Sequence, residues 1–296
     1  MTESAHAPLP AFKSDEGRAR YLAAYDAVLR EWPVPWEGID VPTPLGTTHV
    51  IASGPRDAPP LLLLPSFAAS ATVWRLNVAG LGRAFRTYSV DVIGQPGKSV
   101  ANRRMHDRRD YADWIVDLLD GLGVQRASLV GCSFGGFLAL NQAVMSPDRV
   151  ERVVAISPVG VFASQAWKLF YLMRIRSPVL RLARRVLGRP AAVPGVRRTP
   201  RDTAWAALMG VTMAEAPEVS VINAGAFAPA ELRAIRAPVL LLIGKQETLY
   251  EPHATLALAR ARTPALTGAI VADADHLAAM AQPDVVNQRI IQFLGA

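Results

Sequence analysis

Val130-Gly131-Cys132-Ser133-Phe134-Gly135-Gly136 is the stretch on which the reading of this chain turns. It follows a short apolar run, Arg126-Ala127-Ser128-Leu129-Val130, and precedes a helical pattern over residues 137–144. Gly-x-Ser-x-Gly at a strand-to-helix corner is a nucleophile elbow, a turn so tight that the residues beside the serine must lack bulk. Gly131 and Gly135 meet that demand, and Gly136 lets the helix pack close on the sheet. The serine is then held out at a helix N-terminus, where backbone N–H groups and the dipole favour developing negative charge. The competing reading is an ordinary glycine-rich turn. The five-letter pattern recurs by chance, and the strand before it, the helix after it and the second glycine lift it above that level.

Working outward, strands alternate with helices. Residues 16–30 carry an amphipathic helical pattern (Tyr21, Leu22, Tyr25, Val28, Leu29), closed by the proline-rich Glu31-Trp32-Pro33-Val34-Pro35-Trp36. Residues 47–52 alternate as an early strand, and Pro60-Leu61-Leu62-Leu63-Leu64 is apolar on both faces, as a buried parallel strand must be. Residues 87–93 read as a strand, 110–122 as a helix, and 152–157, 238–243 and 269–272 as further strands before a closing helix at 285–294. This order predicts a mostly parallel α/β sheet with helices on both faces. The rhythm breaks once, between Pro158 and Pro238, in a basic, helical stretch interrupted by prolines. It is read as a lid inserted after the sixth strand, over the sheet edge where ligands bind in such folds. The expected organisation is an N-terminal helical extension at 1–36, a core at 37–158 and 238–296, and a helical cap at 159–237.

A serine nucleophile needs a base, and the base needs an orienting acid. Among five histidines, His276 alone stands in a loop just after a strand at the same sheet edge as Ser133. His6 lies in the polar N-terminal segment, His49 inside a strand, His106 in an arginine-rich loop and His253 behind a helix-starting proline. The acid is expected on the loop after the strand at 238–243, where Glu247 follows Gly244 by three residues. It would hold the imidazole in one tautomer and stabilise its charged form. Asp273 and Asp275 are too near His276 in the chain to turn back on its ring; a solvated loop glutamate is the other reading of Glu247. Two backbone donors would complete an oxyanion hole. One is the Phe134 N–H, and the other, on the loop Pro65-Ser66-Phe67-Ala68, is assigned to Phe67 because proline has no N–H.

Composition bounds the remaining possibilities. A chain of 296 residues that is 51% hydrophobic and 19% charged can bury one large core, with or without a lid. No apolar run approaches the roughly 20 residues of a membrane span, so no integral membrane segment is expected. The first residues are polar and lack the apolar core of a secretory signal, which makes a cytoplasmic setting the default. One cysteine forms neither an internal disulfide nor a cysteine metal cluster, and Cys132 reads as a small packed neck residue. The net charge of +7 is concentrated in ten basic and no acidic residues between Gly160 and Arg201. That stretch suits an anionic substrate, a membrane surface or simply a solvated helix face; no nucleic-acid module surrounds it. Gly94-Gln95-Pro96-Gly97-Lys98-Ser99 mimics a phosphate-binding P-loop, but Val92 stands where that motif needs glycine, so it reads as a turn.

Together these features resemble the α/β-hydrolase family, over nearly the whole chain from about Tyr21 onward. The elbow, Gly244 to Glu247, Asp275-His276 and Asp91-Val92-Ile93-Gly94-Gln95-Pro96-Gly97-Lys98-Ser99 carry the resemblance, the last being similar to the family's Asp-x-x-Gly-x-Gly-x-Ser turn. The opening segment is similar to a bacterial subgroup of carboxylesterase-like hydrolases. The resemblance implies an eight-stranded-type sheet with Ser133 as nucleophile, His276 as base, Glu247 as acid, and Phe67 and Phe134 as oxyanion donors. It implies a serine hydrolase that cleaves a carboxylic ester of a small molecule through an acyl-enzyme, with no cofactor and no metal. C–C bond or thioester hydrolysis, or ligand binding without hydrolysis, are the alternatives the fold allows. The chain departs from the family in having Pro65-Ser66 where His-Gly is usual, and Glu rather than Asp as the acid. Trp167, Phe170, Tyr171 and Met173 are candidate walls of an acyl pocket or plain packing, and the oligomeric state is not legible.

Overall fold

The computed structural model describes residues 12–162, 200–216 and 227–295. Its centre is one sheet in the order β1 (Trp36–Thr43), β2 (Gly46–Ser53), β4 (Arg86–Val90), β3 (Pro60–Leu64), β6 (Ala127–Cys132), β7 (Val150–Ile156), β8 (Val239–Gly244) and β9 (Leu266–Val271), with a two-residue strand, β5 (Val100–Ala101), pairing with β2. Four leucines explain the middle of this sheet. In β3 (Pro60–Leu64), Leu61 and Leu63 point into one apolar layer while Leu62 and Leu64 point into the other. A strand walled by core on both sides has no polar face to alternate with, hence the unbroken apolar run. The same division splits β6 (Ala127–Cys132), with Leu129 on one side and Val130 and Cys132 on the other, and β8 (Val239–Gly244).

From β4 (Arg86–Val90) through β3, β6, β7 (Val150–Ile156) and β8 to β9 (Leu266–Val271), every neighbouring pair is parallel. The other edge is an antiparallel hairpin, only one strand of which shows a clear pattern in the sequence. Residues 47–52 belong to β2 (Gly46–Ser53), but β1 (Trp36–Thr43) pairs with it from Trp36↔Ser53 to Thr43↔Gly46. Gly38 and Pro42 blur the alternation of β1, and proline is tolerated there because β1 is an edge strand. The expected strand at 87–93 stops at Val90, because Asp91 turns its carboxylate to the N–H groups of Ala71 and Lys98, both at 2.7 Å, and the chain leaves the sheet.

The helices cover both faces. On one lie α3 (Arg108–Gly121), capped by the Asp107 side chain, and α4 (Phe134–Met145). The opposite layer takes α1 (Asp15–Arg30), α2 (Val78–Leu81) and the closing helices α8 (Ala278–Ala281) and α9 (Pro283–Leu294). Trp114 and Trp74 are fully buried, one in each layer. Leaving aside the two-residue β5, β7 is the sixth strand among the described residues, and a long stretch of chain separates it from β8. Of that stretch, α5 (Pro200–Glu215) and α6 (Pro229–Arg233) are described. Helix α5 docks on α1, where Arg20 pairs with Glu215 at 2.7 Å and Leu208 joins Tyr21 and Tyr25 in the core. The basic run and the aromatic residues Trp167, Phe170, Tyr171 and Met173 lie outside the described residues. Between β8 and β9 runs α7 (Pro252–Arg262).

Candidate active site

The chain order reverses across β3: β4 lies on one side of it and β6 on the other. The loops leaving the C-terminal ends of β3 and β6 therefore part at a crevice, the place where open α/β sheets bind ligands. Ser133 follows β6 at that point with φ 54° and ψ −112°, a conformation that costs a non-glycine residue of order 1–3 kcal/mol. It is held by its surroundings: the Ser133 N–H donates to Ile156 O at 2.8 Å, and its carbonyl accepts from Phe137 N at 3.1 Å. Gly135 is obligatory, since a Cβ there would sit 2.1 Å from Leu64 O and 2.7 Å from Pro65 O, both backbone atoms that cannot yield. Gly135→Ala is expected to destabilise the protein by about 3 kcal/mol or more. A urea midpoint unchanged from wild type would contradict this.

His276 leaves β9 and turns over Ser133, its Nε2 2.9 Å from Ser133 Oγ. On the other side of the ring, Nδ1 lies 2.7 Å from Glu247 Oε2. The two supporting loops are laced together: Gln246 N donates to Ala274 O at 2.8 Å and Lys245 N to Val271 O at 2.8 Å. Their approach needs Gly244, where a Cβ would fall 2.1 Å from Asp275 O. Asp275 caps Leu277 N at 2.9 Å, as its closeness in the chain to His276 requires, and not the ring.

The Glu247 side chain is fully shielded from solvent. Burial pushes its carboxyl up, but the hydrogen bond and charge of His276 and the N–H groups of Leu249 and Thr248 outweigh that and hold it below the usual carboxylate range. Those two N–H groups both donate to Oε1, at 2.9 and 2.8 Å, leaving Oε2 for the imidazole. The carboxylate is thus anchored by its own next two residues, which its sequence neighbours gave no sign of. His49 is buried in β2 with Nδ1 2.6 Å from Asp40, and the backbone N–H groups of His106 and His253 donate to Asp110 and Glu251.

Phe134 is the first residue of α4, so its N–H has no carbonyl one turn earlier to bond. On the loop after β3, the Ala68 N–H donates to Gln95 Oε1 at 3.0 Å and the Ala69 N–H to Ser66 O at 3.2 Å. Among the described residues the Phe67 N–H has no partner, and the Phe67 and Phe134 rings meet edge to face 6.3 Å apart. Cys132, beside the nucleophile, is buried, and burial pushes its thiol up to about 11, against a weaker opposing effect of the Ser66 hydroxyl 3.1 Å away. It is protonated at neutral pH and packed, as a neck residue should be. Native protein at neutral pH is expected to resist iodoacetamide at Cys132, followed by peptide mass; alkylation within minutes would contradict this.

The P-loop mimic is a turn. Lys98 reaches back to Asp26 on α1 at 2.7 Å and lies over the Tyr25 ring, and β5 rather than a helix follows. Among the described residues no group of metal-ligating side chains is assembled, and no helix is long and apolar enough to cross a membrane.

Known proteins resemble this chain over most of its length. The model of the Alpha/beta hydrolase family matches residues 61–289. Carboxylesterase YbfK of Bacillus subtilis is 35% identical over 294 residues, covering 96% of each chain. The crystal structure of that esterase superposes with a TM-score of 0.80 at 34% identity, over 94% of this chain and 98% of the other. The naproxen esterase (carboxylesterase NP) of Bacillus subtilis gives 0.84 at 31% identity, over 95% and 99%.

Proposed function

This chain belongs to the α/β-hydrolase family, and on that premise we propose that it hydrolyses carboxylic esters of a small molecule through an acyl-enzyme on Ser133. The observation that carries the reading is the unbroken series from Ser133 Oγ to His276 Nε2, 2.9 Å, and from His276 Nδ1 to Glu247 Oε2, 2.7 Å. Relatives named carboxylesterases match nearly the full length of the chain, which favours esters over the other bonds such a triad can cleave.

In the forward step His276 Nε2 takes the Ser133 proton while Oγ attacks the ester carbonyl carbon. The carbonyl oxygen becomes an oxyanion between the N–H groups of Phe67 and Phe134. Collapse of the tetrahedral intermediate breaks the bond to the alkoxy oxygen, which leaves as an alcohol with the proton from His276. A water molecule then enters, gives its proton to His276 and attacks the acyl carbon; the acid leaves and Ser133 recovers its proton. Glu247 keeps the imidazole proton on Nδ1 in the resting enzyme and stabilises the imidazolium in both halves. No cofactor or metal takes part in these steps.

The test is turnover of nitrophenyl esters of graded acyl length, beside thioester and diketone substrates, with fluorophosphonate labelling of Ser133. Ester turnover and labelling that both disappear in Ser133→Ala are expected. Failure of wild-type protein to take the label, or turnover confined to a diketone, would overturn the assignment.

A further inference from the structure

The turn at residues 91–99 has a use in the geometry of the loop after β3. Residues 66–69 form a tight turn closed by Ala69 N donating to Ser66 O at 3.2 Å. Ser66 C=O and Phe67 N–H share one peptide plane and point in opposite directions when that bond is trans, as every peptide bond among the described residues is. Bonding the carbonyl into the turn therefore aims the Phe67 N–H out of it. The next peptide decides whether the turn keeps this shape. Ala68 has φ 55° whereas Phe67 is not among the positive-φ residues, the sign pattern of a type II turn, which ordinarily places glycine where Ala68 stands. An alanine there is strained, so something outside the loop must hold it. The Ala68 N–H is taken by Oε1 of Gln95, at 3.0 Å. Gln95 is itself buried, and its own N–H donates to Val92 O at 3.0 Å. The same 91–99 turn grips the far end of the loop through Asp91, whose carboxylate accepts from Ala71 N and Lys98 N.

We propose that Gln95 is a positioning residue of the oxyanion hole: its side-chain oxygen locks the strained Ser66–Ala69 turn in the form that presents the Phe67 N–H to the reacting carbonyl. The inference rests on the assignment of Phe67 as an oxyanion donor. Gln95 replaces, from a distant turn, the conformational freedom that a glycine at position 68 would supply. A contact felt only by the oxyanion acts on the transition state and leaves ground-state binding alone.

The experiment compares wild type, Gln95→Met, which keeps the chain length without an acceptor, and Gln95→Glu, which keeps an acceptor oxygen. For Gln95→Met we expect kcat to fall about 10- to 100-fold, less than the ~10²–10³-fold typical of losing a donor outright, with KM within about 3-fold. Affinity for a trifluoromethyl ketone, whose hemiketal places an oxyanion in the hole, should fall in parallel. Gln95→Glu should recover most of both. Thermal midpoints are measured for each; if Gln95→Met unfolds, Gln95→Leu takes its place. Wild-type kcat and ketone affinity in Gln95→Met, or a loss in KM alone, overturn the positioning role while leaving the acyl-enzyme intact. Wild-type protein that neither takes a fluorophosphonate on Ser133 nor turns over esters overturns both.

Discussion

Ser133→Ala is expected to lower kcat by about 10⁵- to 10⁶-fold while KM for a neutral ester changes little, because the hydroxyl is both the attacking atom and the end of the proton relay. His276→Ala should cost a similar factor, since a serine without its base is a poor nucleophile. The informative variant combines the two. With Ser133 Oγ and His276 Nε2 2.9 Å apart and acting in one step, the double variant should be no worse than either single one, within about 3-fold. Single-turnover rates on a nitrophenyl ester measure all three. Losses that multiply would mean that the two residues act in separate steps, contrary to the relay. The residual rate should still exceed that of water, because the N–H groups of Phe67 and Phe134 remain.

Glu247→Gln should lower kcat by about 10³- to 10⁴-fold, and the surroundings of the carboxylate give the reason. Thr248 N and Leu249 N both donate to Oε1. In the glutamine variant those two donors demand the amide oxygen at that place, which turns the amide NH₂ toward His276 Nδ1. The imidazole must then accept at Nδ1 and carry its proton on Nε2, facing Ser133 with a donor where the mechanism needs an acceptor. Glu247→Ala leaves the tautomer free and loses only orientation and charge. The glutamine variant should thus be at least as impaired as the alanine variant, the reverse of the usual ranking of conservative and truncating changes. Parallel kcat values settle it: a glutamine variant several-fold faster than the alanine variant would contradict the tautomer argument. The carboxylate sits below its usual range in the folded protein. The stabilisation this gives wild type over Glu247→Gln is present above the ordinary carboxylate range and is lost as pH falls through the depressed folded value.

The parts of this molecule that follow from local chemistry were legible in its sequence. Four consecutive leucines in β3 required a strand with core on both sides, and two glycines around Ser133 required a corner with no room for side chains. The nearness of His276 and Glu247 is legible because parallel strands deliver their following loops to one sheet edge, where a 2.7 Å contact joins the two and a 2.9 Å contact joins His276 to Ser133. What escaped was set by partners far away in the chain. β1 depends on β2 for its hydrogen bonds and shows only a blurred alternation of its own. The apolar residues Val92 and Ile93 read as strand, yet leave the sheet because Asp91 bonds Ala71 and Lys98 instead. Gln95 meets Ala68 across 27 positions, and no local pattern announces such a pair.

The central claim, that Ser133 carries an acyl group during turnover, is tested most directly by rapid-quench mass spectrometry. Protein mixed with excess nitrophenyl ester and quenched in acid within milliseconds should show the added acyl mass on the peptide containing Ser133. Adduct formation should match the initial burst of nitrophenol and be absent from Ser133→Ala. Full turnover with no adduct at any time, or an adduct on a different peptide, would contradict the account.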